Sequence, residues 1–345
     1  MNVRKKRVAY LDILRIIAIF TVFFIHTGDA GMHHYLEASC GAEYWIGIFM
    51  ATASQHCVPL FFMITGALLL ERNESISYVL RHRVLRMAVV IVLSLCFMYC
   101  LRLLNGGQPG LYDFLYMLYS GTGWAQQWFL YAYVSVLLIL PFLQRLVKAI
   151  PGKEWFHYLF ILYFFLNGVL LIVEYFMQWT RTALELPMFG PYVVCAMAGY
   201  YVERFSGDTL IGGGQTVLLN AAAFGLLLLE TCLNHMALRN GNVTAFGGEF
   251  PLVTAAALFV DVRYLCTRFQ MPEMVRKVIS FMGAGTFGCY LIDEQLRGVC
   301  RPVFDALAPG IGAYPAVFVW IACSLILGMI LSNLVKKIPF FGKLI

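Results

Sequence analysis

Three ionisable side chains sit in one apolar stretch near the start of the chain: Asp12, Arg15 and His26, among Leu, Ile, Phe and Val. A charge at the centre of a bilayer costs about 2.5–3.5 kcal/mol on insertion scales, so such residues mark a partnered or water-filled interior. An imidazole titrates near neutrality, at about 6.5 when unperturbed, and serves as a general base towards a hydroxyl. A guanidinium stays charged and grips anionic groups. On a helix turning about 100° per residue, Arg15 and His26 differ by about 20°, and all three groups share an arc of about 60°. At about 1.5 Å of rise per residue, Arg15 and His26 lie about 16 Å apart along the axis. The sharper reading is a polar cavity with a histidine base at its outer end. The plainer reading is an Asp12–Arg15 pair at i,i+3 near the inner surface, with His26 among headgroups.

The elements that must position these groups follow from composition. The 345 residues are 61% hydrophobic and 13% charged, with a mean hydropathy of +0.75. An average soluble domain is about 25% charged, so the solvent for most of this surface is lipid. Apolar runs of spanning length lie near 8–27, 46–70, 84–104, 128–147, 156–177, 188–204, 215–234, 249–266, 281–297 and 314–335. The sixth is short and holds Gly190, Pro191 and Gly199, and the ninth is interrupted by Gly283, Gly285 and Gly288. The first run does not read as a cleavable signal peptide, because it carries charges and many spans follow it.

Orientation comes from the basic residues. With the N-terminal Arg4, Lys5, Lys6 and Arg7 inside, nineteen of the 25 Lys and Arg fall on the cytoplasmic side. Five (Arg102, Arg181, Arg239, Arg297 and Arg301) fall outside, and Arg15 lies within the membrane. The net charge of +6 is therefore a topology signal, and no nucleic-acid partner is needed to explain it. The expected fold is all-α: a polytopic membrane protein of about ten transmembrane helices, both termini cytoplasmic, residues 1–345 forming a single transmembrane domain. Most of the ten cysteines lie inside apolar runs and read as small core residues. Cys40 and Cys300 lie in expected outer loops, which leaves a bridge between them open. Cys/His spacing points to no metal.

Five segments, in order, resemble the membrane acyltransferase-3 family. YLDILRIIAIFTVFFIH resembles its first helix, with Arg15 and His26 at the family's Arg, ten residues, His spacing. VPLFFMITGALLL (58–70) resembles the second helix, RHRVLRM with Arg83 and Arg86 the basic start of the third, WFLYAYVSVLLILPFL (128–143) the fourth, and SFMGAGTFGCYLID (280–293) a late glycine-rich helix. The chain is similar to short O-acetyltransferase members, such as the one for enterobacterial common antigen. Two positions depart from the pattern. Tyr290-Leu291-Ile292-Asp293 stands where many members have YLxH, and Gln127 stands where relatives have a His before the WFL segment.

The resemblance implies a cell (inner) membrane enzyme that takes an acetyl or other short acyl group from acyl-CoA as co-substrate, with no permanently bound cofactor. It passes that group to a hydroxyl of an extracytoplasmic glycan. His26 is the implied general base and Arg15 an essential companion. Acyl transfer from a thioester to an alcohol needs a base, oxyanion stabilisation and alignment. A pantetheine arm of about 15–20 Å, an extended-chain estimate, would reach up a cavity lined by the first helix. Arg81, Arg83 and Arg86 are candidates for the CoA phosphates, or else a plain positive-inside anchor, and Trp128 joins the cofactor-binding candidates through its motif.

His26 also needs an orienting acid. Asp29, Glu174, Glu230, Glu249 and Asp293 all fall near expected outer helix ends, and spacing does not choose among them. Ser54, Gln55 and His56 precede Pro59, where they serve carbonyls freed by the proline or share the donor cavity. His33 and His34 read as solvated residues. One rival function is a transporter or flippase of a polysaccharide or lipid-linked saccharide, which broken helices and interior polar groups would also suit; a second is a membrane sensor or binding protein with no chemistry. Such a protein has no need of a base at His26.

Overall fold

In lipid an apolar run has no backbone partner but itself, so it folds as a helix. The computed structural model describes residues 8–38, 40–108, 110–121, 127–179, 186, 189–205, 214–240 and 250–344, and among them it is helical, without strand. The basic N-terminal residues Arg4, Lys5, Lys6 and Arg7, Arg181 and the candidate acid Glu249 lie outside the described residues.

The helices are α1 (Ala9–Ile25), α2 (Ala42–Ser54), α3 (Cys57–Leu69), α4 (Ile76–Leu104), α5 (Leu111–Ser120), α6 (Trp128–Ala149) and α7 (Lys153–Met177). After them come α8 (Pro191–Phe205), α9 (Gly214–Arg239), α10 (Pro251–Arg268), α11 (Glu273–Leu291), α12 (Asp293–Ile311), α13 (Ala313–Val335) and α14 (Pro339–Leu344). Six stretches among the described residues are long and apolar enough to cross a membrane: Ala42–Leu69, α4, α6, α7, α9 and α13. The other expected runs fall on α1, α8, α10 and α11. The first of these has 17 residues and the second 15.

Two expectations change. The glycines of the ninth run do not interrupt it: α11 continues through Gly283, Gly285 and Gly288, and the break comes at Ile292. Gly283 and Gly285 serve packing. A Cβ at Gly283 would stand 2.6 Å from Asp12 Cβ, and one at Gly285 2.9 Å from Met329 Cα, so α1 and α13 both press closely on α11. The stretch expected to be an outer loop after that run is instead a 19-residue amphipathic helix, α12. Cys300 is buried on it, Cys40 is exposed, and both are free thiols, so the bridge left open above does not form.

The chain divides into two compact units, residues 1–67 with 152–334 and residues 68–151 with 335–345. In the first unit, small residues let backbones meet, as in other membrane bundles. A Cβ at Gly66 of α3 would fall 1.7 Å from the Ala196 carbonyl oxygen, and one at Gly199 of α8 1.9 Å from that of Met63. The turn between α2 and α3 is closed locally. Ser54 Oγ donates to the Ala51 carbonyl at 2.7 Å, His56 Nδ1 donates to that of Ala53, and Leu60 N reaches the His56 carbonyl at 3.0 Å as the next helix starts. Ser54 and His56 thus close the end of α2 at Ala51 and Ala53, and neither bonds the Gln55 carbonyl that Pro59 leaves without a helical donor.

In the second unit, Gln144 of α6 ties down the approach to α4. Its Nε2 donates to the Leu69 carbonyl at 2.9 Å and its Oε1 accepts from Glu74 N at 3.0 Å. Ser75 caps α4 by accepting from Tyr78 N, and a π-helical turn at Leu80–Val84 follows.

Candidate active site

The site begins at the end of α1. His26 closes that helix, its backbone N–H bonded to the Val22 carbonyl at 3.1 Å, and its side chain is one-fifth exposed. At the break between α11 and α12, Ile292 leaves helical geometry and Asp293 opens the next helix. Asp293 is fully buried, and its Oδ2 lies 2.5 Å from His26 Nδ1. An ionised carboxylate only accepts, so Nδ1–H donates to it and in the neutral ring the lone pair sits on Nε2.

Arg297, one turn further along α12, completes the group. Its Nε donates to Asp293 Oδ1 at 2.8 Å, its Nη2 approaches Oδ2 at 3.4 Å, and its Nη1 donates to the backbone carbonyl of His26. Trp320 of α13 donates from Nε1 to the Arg297 carbonyl at 2.9 Å. One imidazole, one carboxylate and one guanidinium from α1 and α12 are thereby fixed together, with α13 holding the backbone behind them.

Of the acids that the sequence offered and that lie among the described residues, Asp293 meets His26. Asp29 is exposed and lies 3.8 Å from His33. Glu230 is buried on α9 and Glu174 lies on α7. Neither Arg297 nor Trp320 was singled out from the sequence. The available signal was the i,i+4 spacing of Asp293 and Arg297, which suits an ion pair on a helix.

Arg15, towards the other end of α1, donates from Nη1 to Asp12 Oδ1 at 2.6 Å. The pair is the i,i+3 contact that spacing predicts, but it is not a surface pair. Asp12 is fully buried beneath Gly283, while Arg15 keeps a quarter of its side chain exposed. His33 and His34 engage different carboxylates: His34 Nε2 lies 3.2 Å from Glu43.

The remaining candidates, Arg81, Arg83, Arg86 and Trp128, belong to the second unit. Arg83 is held by Glu74 through two short hydrogen bonds, one of them 2.6 Å from Nε. That guanidinium keeps the Glu74 carboxyl below the usual carboxylate range. Arg86 Nε donates to the Leu344 carbonyl at 3.0 Å. Arg81 and Trp128 are exposed, and Gln127 is buried with its Nε2 3.4 Å from Ser94 Oγ.

A histidine with a buried acid on one nitrogen can deprotonate an alcohol from the other, the step any O-acyl transfer requires. No curated protein and no solved structure matches the chain. The family model for the acyltransferase domain matches residues 8–335, covering α1 to α13. The chain therefore belongs to the membrane acyltransferase-3 family.

Proposed function

We propose that this acyltransferase moves an acetyl or other short acyl group from acyl-CoA to a hydroxyl of an extracytoplasmic glycan. The observation that supports this reading best is the contact of His26 with Asp293. In the proposed step, His26 Nε2 takes the proton of the acceptor hydroxyl as its oxygen attacks the thioester carbonyl. The C–S bond breaks, and the proton passes to the departing CoA sulfur. Asp293 accepts from Nδ1–H throughout and stabilises the imidazolium.

The reading also takes the chain to cross the cell (inner) membrane about ten times with both termini cytoplasmic, so that His26 faces the outer side. The enzyme is then of the short O-acetyltransferase type, similar to the one that acts on enterobacterial common antigen. Arg15, held by Asp12, serves as a fixed cation within the membrane. Arg81 is the exposed member of the basic group proposed for the CoA phosphates, a role that suits a charge-assisted contact.

The test is to purify the protein in detergent, supply acetyl-CoA and a lipid-linked glycan, and follow CoA release and acylated product. Wild-type transfer with none in His26→Ala is the expected result. Undiminished transfer by His26→Ala would reject the base. Glycan movement across proteoliposomes without acylation would favour a flippase.

A further inference from the structure

We infer that Arg297 is a positioning residue that sets both the geometry and the basicity of the His26–Asp293 pair. The inference rests on the function proposed above and goes beyond it, since nothing in the reaction itself calls for a second cation at the base.

The argument starts from what Arg297 touches. Its planar guanidinium bonds the Asp293 carboxylate through Nε at 2.8 Å and the carbonyl of His26 itself through Nη1. Both partners of the pair therefore hang from one rigid group. An arginine fork holds two acceptors in a fixed relation because its donors are coplanar and cannot rotate separately. If the His26 backbone moved away from Asp293, that carbonyl bond would break with it. Trp320 holds the Arg297 carbonyl from α13, and Arg297 is only 13% exposed. The clamp is thus fixed from behind as well as in front.

Charge gives Arg297 its second effect. Asp293 is wholly buried, and a buried carboxylate facing only an imidazole would strongly favour the protonated imidazolium. A base held in that form has no lone pair for the acceptor. The Arg297 cation, bonded to Asp293 at 2.8 Å, offsets the carboxylate's charge beside the imidazole. Around Asp293 stand His26 from α1, Arg297 from its own helix and Tyr290 from α11, while Trp320 of α13 holds the Arg297 carbonyl. Of these, Arg297 is the permanent cation.

The experiment is the pH–rate profile of acyl transfer for Arg297→Gln, Arg297→Lys and the double variant Asp293→Asn/Arg297→Gln. Folding is verified by monodisperse elution in detergent. Arg297→Gln should lower kcat about tenfold or more with the KM for acetyl-CoA within about twofold, and move the acid limb about one unit to higher pH. Arg297→Lys keeps the cation without the fork, so kcat should fall while the limb stays. The double variant should share the limb of Asp293→Asn alone, because no carboxylate charge remains to offset.

A folded Arg297→Gln protein with wild-type kcat and limb overturns the inference. So does a drop in kcat that is equal at every pH, which would mark a purely structural arginine. Should Arg297→Gln not fold, Arg297→Lys decides: wild-type kcat in that variant overturns the clamp. A dead His26→Ala with a wild-type Arg297→Gln profile removes this inference and leaves the base standing. An active His26→Ala removes both.

Discussion

A carboxylate gripped by a guanidinium and facing an imidazole is a demanding thing to bury, because each charge taken from water must be matched where it lies. The chain meets that demand at Asp293 with His26 on one oxygen and Arg297 on the other. Replacing Asp293 by Asn keeps the shape and removes the charge. Acyl transfer by Asp293→Asn should fall about 10²-fold, in kcat rather than in KM, because the imidazolium of the proposed step loses its partner; CoA-release kinetics measure it. A second residue-scale prediction concerns Glu74, whose carboxyl is held below its ordinary value of 4.5 chiefly by the hydrogen bonds from Arg83. A carboxyl lowered in the folded state contributes stability at pH values above its unfolded value and loses it as the pH falls through the folded value. Melting in detergent should therefore drop below about pH 4.5, and Glu74→Gln should lack that part of the drop. The plainer sequence reading gave Arg81, Arg83 and Arg86 one shared anchor role, whereas the structure separates them: one held by Glu74, one by the Leu344 carbonyl, one exposed.

At the scale of the element, glycine placement decides how closely helices approach. Gly66 and Gly199 lie against carbonyl oxygens of the facing helix, so any side chain there forces the backbones apart. Gly66→Ala and Gly199→Ala should each destabilise the first unit by about 1–3 kcal/mol or more, seen as a lower melting temperature. Gly225, in the middle of α9, has nothing within 4 Å of a built Cβ. Gly225→Ala should hold or raise the melting temperature, since alanine favours a helix by about 0.5–1 kcal/mol. If all three variants melt alike, close crossing is not what these glycines serve. The existence of the helices was legible from apolar runs, and their ends near 27, 104 and 335 agree with the observed ends within a few residues. The glycines of α11 were misread as interruptions because a sequence shows a missing side chain but not the neighbour that needs the space. α12 was passed over for a related reason. Its apolar residues form a stripe and not a run, and it carries Pro302 and Pro309.

For the whole molecule, orientation is the property to test. With His26 facing out, Cys40, exposed ahead of α2, should react with a membrane-impermeant maleimide on intact cells. A cysteine placed at Lys337 in a background without Cys40 should react only after permeabilisation. The reverse pattern would put the base on the side where acyl-CoA is made and end the case for an external acceptor. The sequence alone determined that lipid is the solvent, that helices carry the chain and that Asp12, Arg15 and His26 share one side of the first of them. Those are matters of transfer free energy and helical period, which act within a few turns. Tertiary structure alone decided that Asp293, 267 residues beyond His26, is the acid that meets it, and that Arg297 holds both. Partners so distant in the chain are chosen by how α1, α11, α12 and α13 pack, and packing depends on all four surfaces together.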